Sequence, residues 1–152
     1  MTITSIAPFL WFNDQAEDAA NYYVSLFPDS KITHVSRYGD AGPGPKGSVM
    51  VVSFELAGLS LTALNGGPAY ALDEAFSLLV NCTEQAEIDR LWEALSAKPN
   101  VCGWTKDKFG LSWQINYAGL PELMTGPKAN KVMGAMMGMK KIDIEALKDA
   151  AR

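Results

Sequence analysis

The triplet Gln-Ala-Glu occurs twice, at 15–17 and 85–87, and both copies sit at the same place in the same kind of segment. The first lies in "WFNDQAEDAANYY" (11–23), the second in "LVNCTEQAEIDRLWEAL" (79–95). Each segment begins with an apolar run of strand character that ends at an asparagine, Asn13 or Asn81. A capping position, the triplet and a helical stretch follow, and at the same offset Tyr22 corresponds to Trp92. A repeat carrying both a strand and a helix restricts the chain to two copies of one supersecondary unit.

The first copy opens with an apolar run, Ile3 to Phe12, that reads as a strand; Pro8 inside it marks an edge or a bulge. Asp14 and Glu17 have the spacing of a capping box, and Ala16, Ala20, Tyr23 and Phe27 recur at helical spacing up to the stop at Pro28. "KITHVSRY" alternates and predicts Ile32, His34, Ser36 and Tyr38 on one strand face. After the Gly/Pro-rich loop 39–47, two strand-like runs predict a hairpin turning at Ala57-Gly58. The second copy repeats the plan: "AFSLLVNC" as strand, Thr83 as cap, and a helix with an Ile88, Leu91, Trp92, Leu95 stripe. "VCGWTKD" is a short strand candidate. "DKFGLSWQINY" (107–117) turns at Gly110 and then alternates, with Ser112, Gln114 and Asn116 on one face and Trp113, Ile115 and Tyr117 on the other. From Val101 to Tyr117 the second copy uses 17 residues where the first uses 35 from Lys31 to Asn65, so part of its middle hairpin is missing. The tail is helical, with Val132, Met133, Met136 and Met137 as an apolar face. Asp143 caps a last helix, and Ile142 and Leu147 stand at the spacing of a hydrophobic staple. The expected fold is α+β: two βαβββ units, 1–68 and 69–120, with C-terminal helices over 121–152, in one domain.

Composition then excludes several classes. A hydrophobic fraction of 48% and a charged fraction of 20% suit a globular core, and a net charge of −4 leaves no basic footprint for nucleic acid. No apolar run has the length of a membrane span, and the first residues lack a basic n-region and a cleavage site. Cys82 and Cys102 lack CxxC spacing and read as packed free thiols. These features predict a cytoplasmic protein with no membrane and no nucleic-acid partner.

The stretches 8–32, 36–68, 77–82, 102–116 and 136–147, among them "PFLWFNDQAEDAANYY" and "CGWTKDKFGLSWQIN", carry a closer likeness. Through them the chain resembles the vicinal oxygen chelate (glyoxalase/bleomycin-resistance/dioxygenase) superfamily, and within it the PhnB-like branch labelled 3-demethylubiquinone-9 3-methyltransferase-like. The resemblance implies curved mixed sheets around a cup. In metal-dependent relatives His and Glu side chains on the first strand of each unit and on last strands hold a divalent ion. The stretch D-x-x-G-x-x-x-E of those relatives is here Asp107 to Gln114, with Gln114 at the glutamate position. Pro8 and Phe76 fall near the other ligand positions, Asn65 ends the fourth strand, and the single histidine, His34, lies on the second strand, off the ligand set. Neutral amides do not balance a dication, so no metal and no cofactor is expected.

The resemblance turns the row Ser112, Gln114 and Asn116 toward the cup. Together with Asn65, His34, Tyr38 and Trp104 it forms the expected ligand-binding set, since amides donate and accept hydrogen bonds without charge and aromatic rings stack. His34 is the one candidate catalytic base. Each has a plainer reading: an amide in a satisfied network, a structural histidine, a core aromatic. A Rossmann-like methyltransferase would show a Gly-rich loop after its first strand, and none is present. Three functions follow. The first is metal-free binding of a small organic molecule; the second is an enzyme acting on a small organic substrate, of glyoxalase/dioxygenase or methyltransferase-like type. The third is a vestigial cup serving contact between chains, and a homodimer is expected throughout.

Overall fold

In the computed structural model residues 2–152 are described. They form two compact units, the first ending at Leu72 and the second spanning Asp73–Arg152. The boundary falls four residues beyond the expected one, and the C-terminal helices belong to the second unit.

In the first unit β1 (Phe9–Phe12) is followed by α1 (Ala16–Leu26), β2 (Lys31–Arg37), β3 (Val49–Leu56) and β4 (Leu59–Asn65). The sheet order is β1-β4-β3-β2, with β1 parallel to β4 and the other pairs antiparallel. β1 is shorter than the apolar run suggested. Proline lacks the N–H that a ladder needs, so pairing starts with the Pro8 carbonyl accepting from Thr62 N and leaves Ile3 and Ile6 exposed. α1 buries Ala16, Ala19, Ala20 and Tyr23 completely. Small alanines let the helix approach the sheet, where Val52, Phe54, Leu61 and Ala63 meet it. The helix stops at Leu26 because Phe27, preceding Pro28, must be extended. At the β3–β4 hairpin Ala57 (φ 46) and Gly58 (φ 92) both take left-handed conformations, the mark of a type I′ turn.

Two local expectations differ. The pairing of β2 with β3 shifts between Ile32 and His34, so Ile32 and Val35 share the α1 side with Phe54 and Val52, while His34 and Ser36 share the opposite face with Ser53 and Val51. Strict alternation failed because a bulge at Thr33 inserts one residue. The Asp14–Glu17 capping box does not form: α1 starts after Gln15 without a side-chain cap. The Asn65 side chain serves instead, its Oδ1 accepting from Ala16 N at 2.8 Å while its Nδ2 donates to Val49 O at 3.1 Å. One amide at the end of β4 thus joins the start of α1 to the start of β3. Asn65→Ala should cost roughly 1–3 kcal/mol, because the Ala16 N–H is left without a partner in a buried position. Urea unfolding measures it, and a loss below about 0.5 kcal/mol, within the ordinary surface range, contradicts the latch.

The second unit repeats the topology with β5 (Ser77–Cys82), α2 (Gln85–Leu95), β6 (Lys98–Pro99), β7 (Trp104–Lys106) and β8 (Ser112–Tyr117), in the order β5-β8-β7-β6. The middle hairpin survives, cut to strands of two and three residues. α2 buries Ile88, Leu91 and Leu95; Trp92 is half-buried, and Thr83 does not cap. The triplet's Gln85 has another task. Its Nε2 donates to Ile142 O and its Oε1 accepts from Ile144 N, which ties α2 to the tail. α3 (Leu120–Leu123), α4 (Ala129–Met137) and α5 (Ile144–Ala150) complete the unit. Asp143 caps α5 through Ala146 N at 3.1 Å, and Ile142 and Leu147 are fully buried as the staple spacing predicts. On α4 only Val132 is buried; Met133 and Met137 are exposed, so the methionine stripe is not a core face. No helix of the described residues is long and apolar enough to cross a membrane.

Candidate functional site

β8 is central in its sheet, and the register of the paired strands assigns their side chains to one face or the other. Leu78, Trp113 and Thr105 form one cross-strand row and Val80 pairs with Ile115; these lie on the α2 side, where Trp113, Thr105 and Ile115 are at most 2% exposed. The opposite, open face carries two parallel rows. One runs Ser77, Ser112, Lys106, Lys98, and the next Leu79, Gln114, Trp104. Asn116 follows beside Asn81.

The turn that aims β8 is built on Asp107, which is 3% exposed. Its Oδ1 accepts from Phe109 N (2.8 Å) and Leu111 N (3.1 Å), and its Oδ2 accepts from the Trp113 indole Nε1 (2.8 Å). The first residue of the D-x-x-G-x-x-x-E-like stretch is therefore a turn organiser that also fixes the core face of the strand. Gly110 (φ 94) supplies the left-handed position the turn requires.

On the open face Gln114 is half-buried, and its Nε2 donates to Ser77 Oγ at 3.0 Å. Ser112 is 1% exposed, and its hydroxyl has no hydrogen-bond partner. Lys106 Nζ pairs with Glu74 at 2.5 Å, and that hydrogen bond, with the lysine's charge, holds the Glu74 carboxyl below its ordinary range. Glu74, Lys98, Asn100, Trp104, Lys106 and Ser112 border a hollow of about 140 Å³.

The expected residues of the first unit are placed differently. His34 is exposed on the open face of its own sheet. Tyr38 is buried, and its hydroxyl donates to Asn65 O at 2.6 Å. Gly42 and Gly44 lie so close to the Tyr38 ring that a Cβ at either would stand 2.4 Å from it, so the loop wraps this tyrosine. The Asn65 side chain stands on the α1 side of its sheet. Both border a groove of about 510 Å³ whose other walls include Asp14, Glu17, Asp18 and the Pro43–Pro45 loop. Three carboxylates at a helix start complement the helix dipole, which accounts for them structurally. Among the described residues no three His, Cys, Asp or Glu side chains form a group that could hold a metal ion. Cys82 is a buried free thiol pushed up in pKa by desolvation and by Glu87.

The register puts Ser112, Gln114, Asn116 and Trp104 on one face of the second sheet, as the alternation of β8 predicts for the first three. The same face carries Ser77, Lys98 and Lys106, with Glu74 beside them, which the sequence did not single out. Alternation along Trp104-Thr105-Lys106 could have given Lys106. Nothing local marks Lys98, because a two-residue strand ending in proline has no periodicity to read.

The profile of the 3-demethylubiquinone-9 3-methyltransferase family matches residues 4–116. Among solved structures, the chain is similar to a PhnB protein of Bacillus cereus, provisionally named a 3-demethylubiquinone-9 3-methyltransferase. They share 34% identity over 73% of this chain and 97% of that one, with a TM-score of 0.65. Protein PA1353 of Pseudomonas aeruginosa is 25% identical over 73% of this chain and 95% of its own, with a TM-score of 0.57. An Arabidopsis thaliana gene product, at 19% identity and a TM-score of 0.50 over 74% of this chain and 97% of that one, shares the fold. No curated protein matches.

Proposed function

The chain belongs to the 3-demethylubiquinone-9 3-methyltransferase family, the PhnB-like branch of the glyoxalase superfamily, and we propose that within it this protein binds a small polar organic molecule without a metal. The open face of the second sheet is the binding surface. One observation carries the reading: Ser112 presents a hydroxyl that is 1% exposed and unpartnered, in the same hollow as Trp104 and next to the Gln114 amide. A buried hydroxyl without a partner is costly in a folded protein, and a ligand that accepts from it removes the cost. Gln114 offers both a donor and an acceptor, and Trp104 a flat apolar wall.

Native mass spectrometry of freshly purified protein, with elemental analysis, tests the proposal. The expected result is a co-purifying organic mass at up to one per chain and no stoichiometric Fe, Mn, Ni or Zn. Gln114→Leu should abolish the bound mass. A stoichiometric metal lost on Gln114→Ala overturns the metal-free reading, and a bound molecule indifferent to Gln114→Leu moves the surface elsewhere.

A homodimer in the cytoplasm is part of the same proposal. Each sheet packs a helix on one side only, and its other side exposes large apolar residues, Phe9 in the first unit and Leu79 in the second, at 60% and 52%. Closed twofold pairing is the commonest way such surfaces are covered. Sedimentation at micromolar concentration should give one species near twice the chain mass of 16.5 kDa; a single species at 16.5 kDa refutes the dimer.

A further inference from the structure

The row Lys98–Lys106–Ser112 crosses three adjacent strands on the open face of the second sheet, and its chemistry is one-sided. Two lysines stand directly opposite each other on β6 and β7, an arrangement that repels unless an anion sits between or beside them. Only Lys106 has a direct ion pair, with Glu74 at 2.5 Å; Lys98 acts on the same carboxylate at longer range, so one acid serves two lysines. Glu74 lies outside regular structure, just before β5, and its side chain is 62% exposed against 23% for Lys106, so the acid is the partner on the solvent side. Beside the lysines the Ser112 hydroxyl is buried without a partner, and Trp104 borders the same hollow. The Asn100 side-chain oxygen is taken by Val101 N at 2.8 Å, which leaves its amide hydrogens as donors. The hollow therefore offers donors and positive charge, and its one anionic acceptor is Glu74 itself.

We propose that this hollow binds the carboxylate of a small organic acid, with Ser112 as the buried donor, Lys98 and Lys106 as counter-charges, and Glu74 as the occupant it displaces. The assignment rests on the open-face reading above and adds to it the class of molecule: an acid anchored by its carboxylate in about 140 Å³, with its remainder over Trp104 and Gln114. Charge-assisted hydrogen bonds to lysine discriminate against the uncharged amide of the same shape. A neutral hydroxyl donates to an amide oxygen as well as to a carboxylate, so the discrimination depends on the two lysines, and the buried serine supplies affinity and position.

Titration of the whole protein with propionate, propionamide and inorganic phosphate, followed by the Trp104 indole and Ser112 amide resonances, decides it. Propionate should shift both signals, and propionamide should bind about tenfold more weakly or not at all. Ser112→Ala should weaken propionate by about tenfold while leaving the ligand-free melting temperature unchanged or higher, because it removes an unpartnered buried hydroxyl. Lys98→Ala should weaken it severalfold, and Glu74→Gln, which frees Lys106, should strengthen it. Equal binding of propionate and propionamide, both lost in Gln114→Leu, overturns the acid assignment and leaves the open-face reading standing. No binding of either probe, or propionate binding indifferent to Ser112→Ala, overturns the hollow as a site. Phosphate binding as tightly as propionate and untouched by Ser112→Ala reduces it to surface attraction by lysines and overturns it as well.

Discussion

Asp107→Ala should lower the unfolding free energy by roughly 3–5 kcal/mol. Three donors lose their acceptor at once: the Phe109 and Leu111 amides and the Trp113 indole N–H. Two of the three bonds lie in fully buried surroundings, where water does not replace the missing oxygen. Asp107→Asn separates the contributions. Its Oδ1 still accepts both backbone amides, but its NH₂ meets the indole N–H donor to donor, so about half of the loss should remain. Urea unfolding of both variants measures this. If Asp107→Ala costs less than about 1 kcal/mol, a surface-like value, the carboxylate does not hold the turn and the aim of β8 has another source.

Trp113→Ala should cost roughly 3–5 kcal/mol, since the indole is 1% exposed and its removal opens a cavity against α2. The neighbour Gln114 sits on the same strand and points the other way. Gln114→Leu should change stability by less than about 1 kcal/mol, because its amide is half-buried and makes one bond, to Ser77. Thermal melts of the two variants test the faces of β8 directly. Should Trp113→Ala melt like the parent while Gln114→Leu collapses, the two faces are exchanged, and the reading of Ser112 and Gln114 as an open binding surface fails with them. Trp113 and Asp107 share a hydrogen bond, so the double variant should cost less than the sum of the single ones. Trp113→Phe keeps one aromatic ring but loses the fused pyrrole ring with its N–H, so it should fall between the parent and Trp113→Ala.

Among the details, those readable along the chain were the ones with a short period. β8 gave its two faces from strict alternation, and the buried stripes of α1 and α2 came from helical spacing. The α5 cap and staple followed from Ile142, Asp143 and Leu147, within six positions. Asp14 and Glu17 show the limit of such spacing. They fit a capping box, yet Asn65, far away in sequence, takes the amide they would have served. The β2 face failed for a similar reason: a bulge at Thr33 is a property of the pairing with β3, not of either strand alone. The methionines of α4 have core-like spacing, but nothing in a spacing says whether another element covers the face.

The sequence by itself determined that the chain is two βαβββ units with a helical tail, which residues of β8, α1 and α2 share a side, and which family it resembles. The shared sides are encoded in residues a few positions apart, where backbone geometry fixes which side chains are neighbours, and the two units in a repeat along the chain. The tertiary structure decided what lies across from what. Lys98 stands opposite Lys106, and Lys106 beside Ser112, through the pairing of a two-residue strand that no periodicity reveals. Asp107 reaches the Trp113 indole, and Asn65 the start of α1. Cross-strand register is set where the whole sheet packs on its helix, because a slip of one residue would turn every buried side chain outward. The partners of a polar group, and hence the hydroxyl left without one at Ser112, are therefore settled by the assembled unit and by no segment of it alone.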